Sequence, residues 1–148
     1  MTDLSIGEAQ ISDLDEICEI ENLSFSTPWS KDDLKSTLEN DSAAIYCARS
    51  EGKICGYMIL YGTLFDCDIA KIAVCPDKRR QGIGRALMEY CFDVCAGNDL
   101  DTVFLEVRES NTAAISLYTS LGFEQINTRK DYYKAPEEDA VMMRKVLN

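Results

Sequence analysis

Apolar residues recur along the chain in two spacings, every second position and every third to fourth, and these divide it into strands and helices. Residues 4–10 read as a first strand. Ser12 or Asp13 then caps a helix running to about residue 23, with Leu14, Ile17, Cys18 and Ile20 as its apolar face. The segment from Phe25 to Trp29 breaks that period, because Pro28 disfavours helix in the residue before it. Ser30, followed three residues later by Asp33, predicts an N-capped short helix ending near Asn40. Two apolar runs, 43–50 and 53–62, joined at Glu51-Gly52, predict a hairpin, and a third strand over 67–75 ends at Pro76. From Gly82 to about Ala96 the apolar residues Ile83, Ala86, Leu87, Tyr90, Cys91, Val94 and Cys95 follow helical spacing, with Gly97 as the expected C-cap.

Residues 101–107 are apolar enough for a buried strand. The strand–helix–strand order makes that strand parallel to the one before the helix. A helix over 111–121 stopped by Gly122, then strands over 123–128 and 139–147, complete the chain. The expected fold is α+β: a mixed, mostly antiparallel sheet with one parallel pair, flanked by about four helices, in a single domain spanning 1–148.

Composition narrows the chemistry more than the fold. The 148 residues include no histidine, so a general base must be a carboxylate, tyrosine, lysine, cysteine or water. The seven cysteines contain no C-x-x-C pair, and Cys91 and Cys95, four apart on one helix face, read as buried free thiols rather than metal ligands. No metal site is expected. No apolar run approaches the ~20 residues of a membrane helix, and the acidic N-terminus lacks a signal-peptide layout, so a cytoplasmic protein without a membrane partner is expected. The net charge is −11, and residues 1–41 hold eleven acids against Lys31 and Lys35. Such a surface argues against nucleic acid as a partner and would attract a cationic substrate. Lys78, Arg79, Arg80 and Arg85 cluster against this background and suggest an anionic ligand.

That cluster encloses Gln81-Gly82-Ile83-Gly84, between a strand and a long amphipathic helix. Glycines there remove side chains where an anion would approach the backbone, and the first-turn N–H groups with the helix dipole would hold it. Neither of the two familiar nucleotide-binding loop spacings is present. By itself the pattern is equally consistent with glycines relieving crowding where helix meets sheet.

The run Arg79 to Gly84 after Ile72-Ala73-Val74 resembles the acyl-CoA loop of the GNAT acetyltransferases. The likeness extends through Leu105-Glu106-Val107-Arg108, Ser110-Asn111, Ala113-Ala114, Leu117-Tyr118 and Gly122-Phe123, and includes Phe25, Pro28-Trp29-Ser30, Arg129, Tyr132-Tyr133 and Glu138-Asp139-Ala140. With these residues it is most similar to the members that acetylate the N-terminal alanine of a ribosomal protein. The resemblance implies acetyl-CoA as co-substrate and a parallel strand pair splayed at a bulge. Pantetheine would lie along Ile72, Ala73 and Val74, and pyrophosphate on Arg80, Gln81, Gly82, Ile83, Gly84 and Arg85. The implied acceptor is a protein N-terminal peptide of the ribosomal small subunit.

Within that frame Glu106 is the candidate base, its apolar neighbours Val103, Phe104, Leu105 and Val107 favouring the neutral carboxyl; a salt bridge to Arg108 is the alternative. Tyr118, seven residues beyond Asn111 on the same helix face, is the candidate acid for the leaving thiolate, or a packed aromatic. Asn111 is placed to cap its helix, to hydrogen-bond CoA, or both. Phe25, Trp29, Tyr132 and Tyr133 are expected in two loops, gripping the acceptor or anchoring the loops themselves. Cys75 lies beside the cradle, but nothing in the sequence activates its thiol, and direct attack of the amine on the thioester needs no covalent relay. Lys71 departs from the family pattern and would repel a cationic acceptor. A small-molecule amine, a broader set of N-termini and a non-catalytic acetyl-CoA-binding protein are the other readings. Retention of both Glu106 and Tyr118 argues against the last.

Overall fold

The computed structural model describes residues 4–147. Its strands are β1 (Ser5–Glu8), β2 (Ala43–Ser50), β3 (Lys53–Gly62), β4 (Asp66–Val74), β5 (Thr102–Arg108), β6 (Glu124–Tyr133) and β7 (Glu138–Val146). Its helices are α1 (Leu14–Ser24), α2 (Lys31–Leu38), α3 (Ile83–Gly97) and α4 (Thr112–Ser120). The strands form one sheet in the order β1-β2-β3-β4-β5-β7-β6, antiparallel throughout except for the β4–β5 pair. This is the mixed sheet with one parallel pair and four helices that the hydrophobic pattern implies.

Two apolar layers sandwich the sheet. On one face Leu14, Ile17 and Ile20 of α1 and Leu34 of α2 pack on Ile45, Tyr57, Ile59 and Ala73. On the other, Ile83, Leu87, Met88, Cys91 and Cys95 of α3, with Tyr118 of α4, pack on Met58, Leu60, Ile69, Leu105 and Val107. The Cys91 and Cys95 thiols are buried, as expected, and Cys67 of β4 joins them so that the three sulfurs lie within 4.8 Å of one another.

The feature that shapes the molecule is the short reach of the parallel pairing. β4 and β5 are in register from Asp66↔Thr102 to Ile69↔Leu105 and no further. At the same level β4 bulges: Ile59 of β3 faces Lys71 and Leu60 faces Ile69, leaving Ala70 without a partner. One extra residue bends the strand and reverses which face each later side chain meets. Cys67 and Ile69 therefore face α3, but Ala73 faces α1, and Lys71 is brought to the α1 side. Beyond the bulge the two strands diverge.

Local expectations hold where a cap is chemically specific and shift where an end depends on packing. Ser30 caps α2 reciprocally with Asp33, as its spacing predicts. Asn111 caps α4 by accepting the Ala114 N–H at 3.2 Å. Gly97, however, is the last helical residue of α3 rather than its cap; Asn98 follows, its amide donating to the Val94 carbonyl at 2.8 Å, and the left-handed residue is Asp99 at φ +58°. β6 runs to Tyr133, beyond the strand expected over 123–128. It is the exposed edge strand, so no burial alternation marks its length.

Helix α3 sits close to the sheet because β3 carries Gly56 under it. A Cβ there would meet the Ala73 carbonyl at 3.0 Å and the Ile83 and Leu87 side chains at 3.3 Å. Gly56→Ala is therefore expected to lower stability by about 1–3 kcal/mol through overpacking. Urea unfolding measures this, with an unchanged midpoint as the contrary result.

Candidate active site

Divergence of β4 from β5 leaves one edge of β4 unpaired. The Cys75 N–H donates to the Cys55 carbonyl at 2.8 Å and so faces β3. Backbone direction alternates along a strand, so the N–H and C=O groups of Ile72 and Val74 face the open edge while those of Ala73 face β3. Of the three strand residues expected to meet a ligand, Ala73 is thus turned away, and its side chain is buried under α1 and α2. Arg79 Nε donates to the Val74 carbonyl at 3.2 Å, tying the cradle to that edge.

The cradle itself is a strained turn. Arg80 (φ +65°) and Gly82 (φ +81°) are both left-handed, and Gly82 caps α3 without any side-chain hydrogen bond. The first-turn N–H groups of α3 have no intrahelical partner, as at any helix start, and are the donors an anion placed here would meet. A Cβ on Gly82 would meet nothing within 4 Å, so an approaching group has open access. At Gly84 a Cβ would meet the Leu117 side chain of α4 at 3.4 Å and the Val74 side chain at 3.9 Å, ordinary contact distances, so the packing around it does not by itself require glycine. Ile83 buries its side chain in the core and could offer a ligand only its backbone. Arg85 donates to the Ser120 hydroxyl at 2.9 Å. The open strand edge, the left-handed glycine and the free helix end together fit an extended ligand ending in a diphosphate.

A cleft of about 710 Å³ lies in the splay, lined by Ile72, Glu106, Asn111, Tyr118 and the aromatic residues Phe25, Trp29, Tyr132 and Tyr133. Strand β5 alternates so that Val103, Leu105 and Val107 are buried against α3 and α4 while Glu106 and Arg108 face the opposite side. The Glu106 carboxylate therefore does not sit among the apolar residues that flank it in sequence. It pairs with Arg129 Nε at 2.6 Å across β7, with Tyr132 and Asp68 beside it. Burial and then the nearby Glu106 charge raise the Asp68 carboxyl, Arg129 opposing, although Asp68 as a residue is exposed at the mouth.

The salt bridge between Glu106 and Arg108 left open by their spacing is not formed. Arg108 instead binds Glu138 at 3.2 Å, the carbonyls of Lys134 and Pro136 at 2.9 Å each, and the Ser26 hydroxyl at 3.3 Å, while stacking 4.6 Å from the Tyr133 ring. One guanidinium thus ties the β6–β7 turn to the α1–α2 loop. Glu138 also accepts the Ser110 N–H at 2.5 Å, fixing the approach to α4.

Tyr118 is buried, its ring 5.8 Å from that of Phe123, so it packs as well as facing the cleft. Burial, then the neighbouring Tyr133, pushes its hydroxyl up to about 12. Tyr133 is likewise pushed up to about 12, by burial and then Glu106. The phenols stay protonated across the working range of the cell. Burial also raises the Cys75 thiol, so nothing activates it as a nucleophile. Tyr132 and Tyr133 end strand β6 rather than occupying a loop, with their rings edge-on at 5.1 Å.

One participant had no signal in the apolar pattern. Glu21, on the buried face of α1, accepts hydrogen bonds from the Tyr57 hydroxyl, the Lys71 ammonium and the Trp29 N–H. Lys71 is accordingly paired within the protein, which corrects the expectation that it would repel a cationic acceptor. The only sequence hint was an acid at the helical spacing of Leu14, Ile17 and Ile20.

Residues 14–123 match the model of the acetyltransferase (GNAT) family. The chain belongs to that family. It is 36% identical over 141 residues to the ribosomal protein bS18-alanine N-acetyltransferase of Escherichia coli K12, covering 94% of this chain and 95% of that one. The Salmonella typhimurium protein of the same name is 34% identical over 143 residues, with 94% and 95% covered. The crystal structure of the Escherichia coli ribosomal-protein-S18-alanine N-acetyltransferase superposes with a TM-score of 0.91 at 34% identity, over 98% of this chain and 94% of that one.

If the left-handed cap shapes the cradle, a β-branched residue there must distort it, since such residues rarely adopt positive φ. Gly82→Val is expected to weaken CoA binding about tenfold or more, equivalent to ~1.4 kcal/mol. Calorimetric titration with CoA reads this, and undiminished affinity would separate the cradle from the ligand.

Proposed function

We propose that the protein transfers the acetyl group of acetyl-CoA to the N-terminal α-amino group of a ribosomal small-subunit protein that begins with alanine. The observation that carries this reading is the open edge of β4, which leads from the bare end of α3 into a cleft with Glu106 and Tyr118 on its walls. The naming of near-full-length relatives supports the acceptor.

Acetyl-CoA supplies an activated acyl group whose thiolate is a competent leaving group. The chain supplies position. Backbone N–H groups of Ile72 and Val74 on the open edge orient the donor, and the Val74 N–H is the candidate to polarise the thioester carbonyl. The acceptor nitrogen attacks that carbon and the C–S bond breaks. The amine's surplus proton passes to Glu106, directly or through water, while the Tyr118 hydroxyl meets the charge growing on sulfur. A free α-amino group titrates near 8, so the demand on the base is small. Arg129 keeps Glu106 oriented toward the cleft.

Mass spectrometry of N-terminal peptides incubated with the protein and acetyl-CoA tests the acceptor. Acetylation of an alanine-initiated ribosomal peptide is expected. Exclusive modification of polyamines or aminoglycosides would instead assign a small-molecule acceptor. Glu106→Gln should cut kcat by about a hundredfold or more and leave CoA affinity unchanged; full turnover at saturating substrate would remove Glu106 from the mechanism.

The raised Tyr118 hydroxyl fixes the alkaline side of the pH profile. Activity should climb as the acceptor amine loses its proton near pH 8 and hold level to about pH 10, because a group titrating at about 12 is still protonated there. Tyr118→Phe should lower kcat about tenfold to a hundredfold and leave the ascending limb in place. A descending limb below pH 10 that this substitution abolishes would show that Tyr118 titrates lower in the working enzyme.

A further inference from the structure

Glu21 is fully buried and takes no part in the proton transfers above, yet donors from three elements converge on it. The Tyr57 hydroxyl comes from β3, the Lys71 ammonium from β4, and the Trp29 N–H, at 2.8 Å, from the α1–α2 loop. The same ammonium lies 4.1 Å from the centre of the Phe25 ring and 4.8 Å from that of Trp29. Two aromatic faces and a carboxylate around an ammonium constitute a cation site. Here the chain fills it with its own lysine.

The arrangement depends on the bulge. With Ala70 skipped in the β3–β4 register, Lys71 falls on the α1 face, where it meets Glu21 and the loop together. Breaking such a pair would strand a buried charge, whereas apolar replacement of both members costs little, so ion pairs of this kind say more about geometry than about stability. What the geometry fixes is the loop. Phe25 and Trp29 line the cleft, and their loop is also tethered through Ser26, which accepts from Arg108 and donates to the Lys134 carbonyl.

We propose that Glu21 and Lys71 are positioning residues that hold Phe25 and Trp29 as a rigid wall of the acceptor end, and thereby set affinity for the acceptor rather than the rate of acetyl transfer. The kinetic part rests on the acceptor reading given above; the ordering of the loop does not.

Trp29 is the sole tryptophan of the chain, so its fluorescence reports the wall directly. Lys71→Met keeps an unbranched side chain one atom shorter and removes its charge. It should increase acrylamide quenching of Trp29, raise KM for the acceptor peptide about tenfold, change kcat by less than about threefold and leave the Kd of CoA unchanged. Lys71→Arg, which can pair and stack, should restore both quenching and KM. Glu21→Gln, nearly isosteric, gives a second route to the same quenching change if Lys71→Met folds poorly by circular dichroism. Wild-type quenching and wild-type KM in a folded variant would overturn the proposal, as would a loss confined to the melting temperature. Should the intact protein acetylate no N-terminal peptide, the acceptor reading fails while the quenching comparison still decides whether the loop is locked.

Discussion

Everything at the site follows from hydrogen bonds that β4 and β5 stop making. Four residue pairs hold the strands in parallel, and beyond Ile69 and Leu105 each goes its own way. Buried backbone groups without partners are costly, so a sheet opens in its middle only where something else meets the exposed edge. The Ala70 bulge makes the opening possible by bending β4 while β3 keeps its far edge paired. It also turns Lys71 toward α1 and leaves Ile72 and Val74 with their polar backbone groups directed into the gap. A single inserted residue therefore creates both the open strand edge and one wall of the cleft.

Charge is handled locally in a strongly acidic protein. Glu106 has Arg129, Glu138 has Arg108, and Glu21 has Lys71. Lys71, Arg108 and Arg129 each answer one of these acids and draw two or more elements together. Arg108 joins the β6–β7 turn to the α1–α2 loop; Lys71 joins β4 to α1 and the same loop. Both walls of the cleft are thereby held by guanidinium or ammonium groups stacked on aromatic rings. The absence of histidine fits this economy, because an amine that is already partly neutral in the cell needs no strong base.

The family chemistry asks for placement more than for reactivity. A thioester and a primary amine react readily once aligned, so most of the rate enhancement lies in orientation and in backbone donors aimed at the carbonyl. That places the burden on strand geometry and on the closeness of α3 to the sheet, where Gly56 admits the helix and the left-handed Gly82 shapes its entrance.

Much of this was written in the chain as local pattern. Spacing alone determined the order and type of the elements, the Ser30 cap, and the parallel pair implied by a helix between two apolar strands; Asn111 it offered as a cap or a CoA contact, and the structure shows the cap. The glycine and arginine run suggested where an anion would bind, and the residues around Glu106 and Tyr118 pointed to the family. Tertiary structure decided what local spacing cannot carry. The bulge fixed which face Lys71 meets, so a lysine that reads as a repulsive charge became half of a buried pair. Alternation on β5 turned Glu106 away from its apolar sequence neighbours, and the distant β6 brought it Arg129 instead of Arg108. An edge strand without a buried face concealed the extent of β6. Periodicity records how much each residue is buried, whereas partners are chosen by strand order and register, which only the assembled sheet defines.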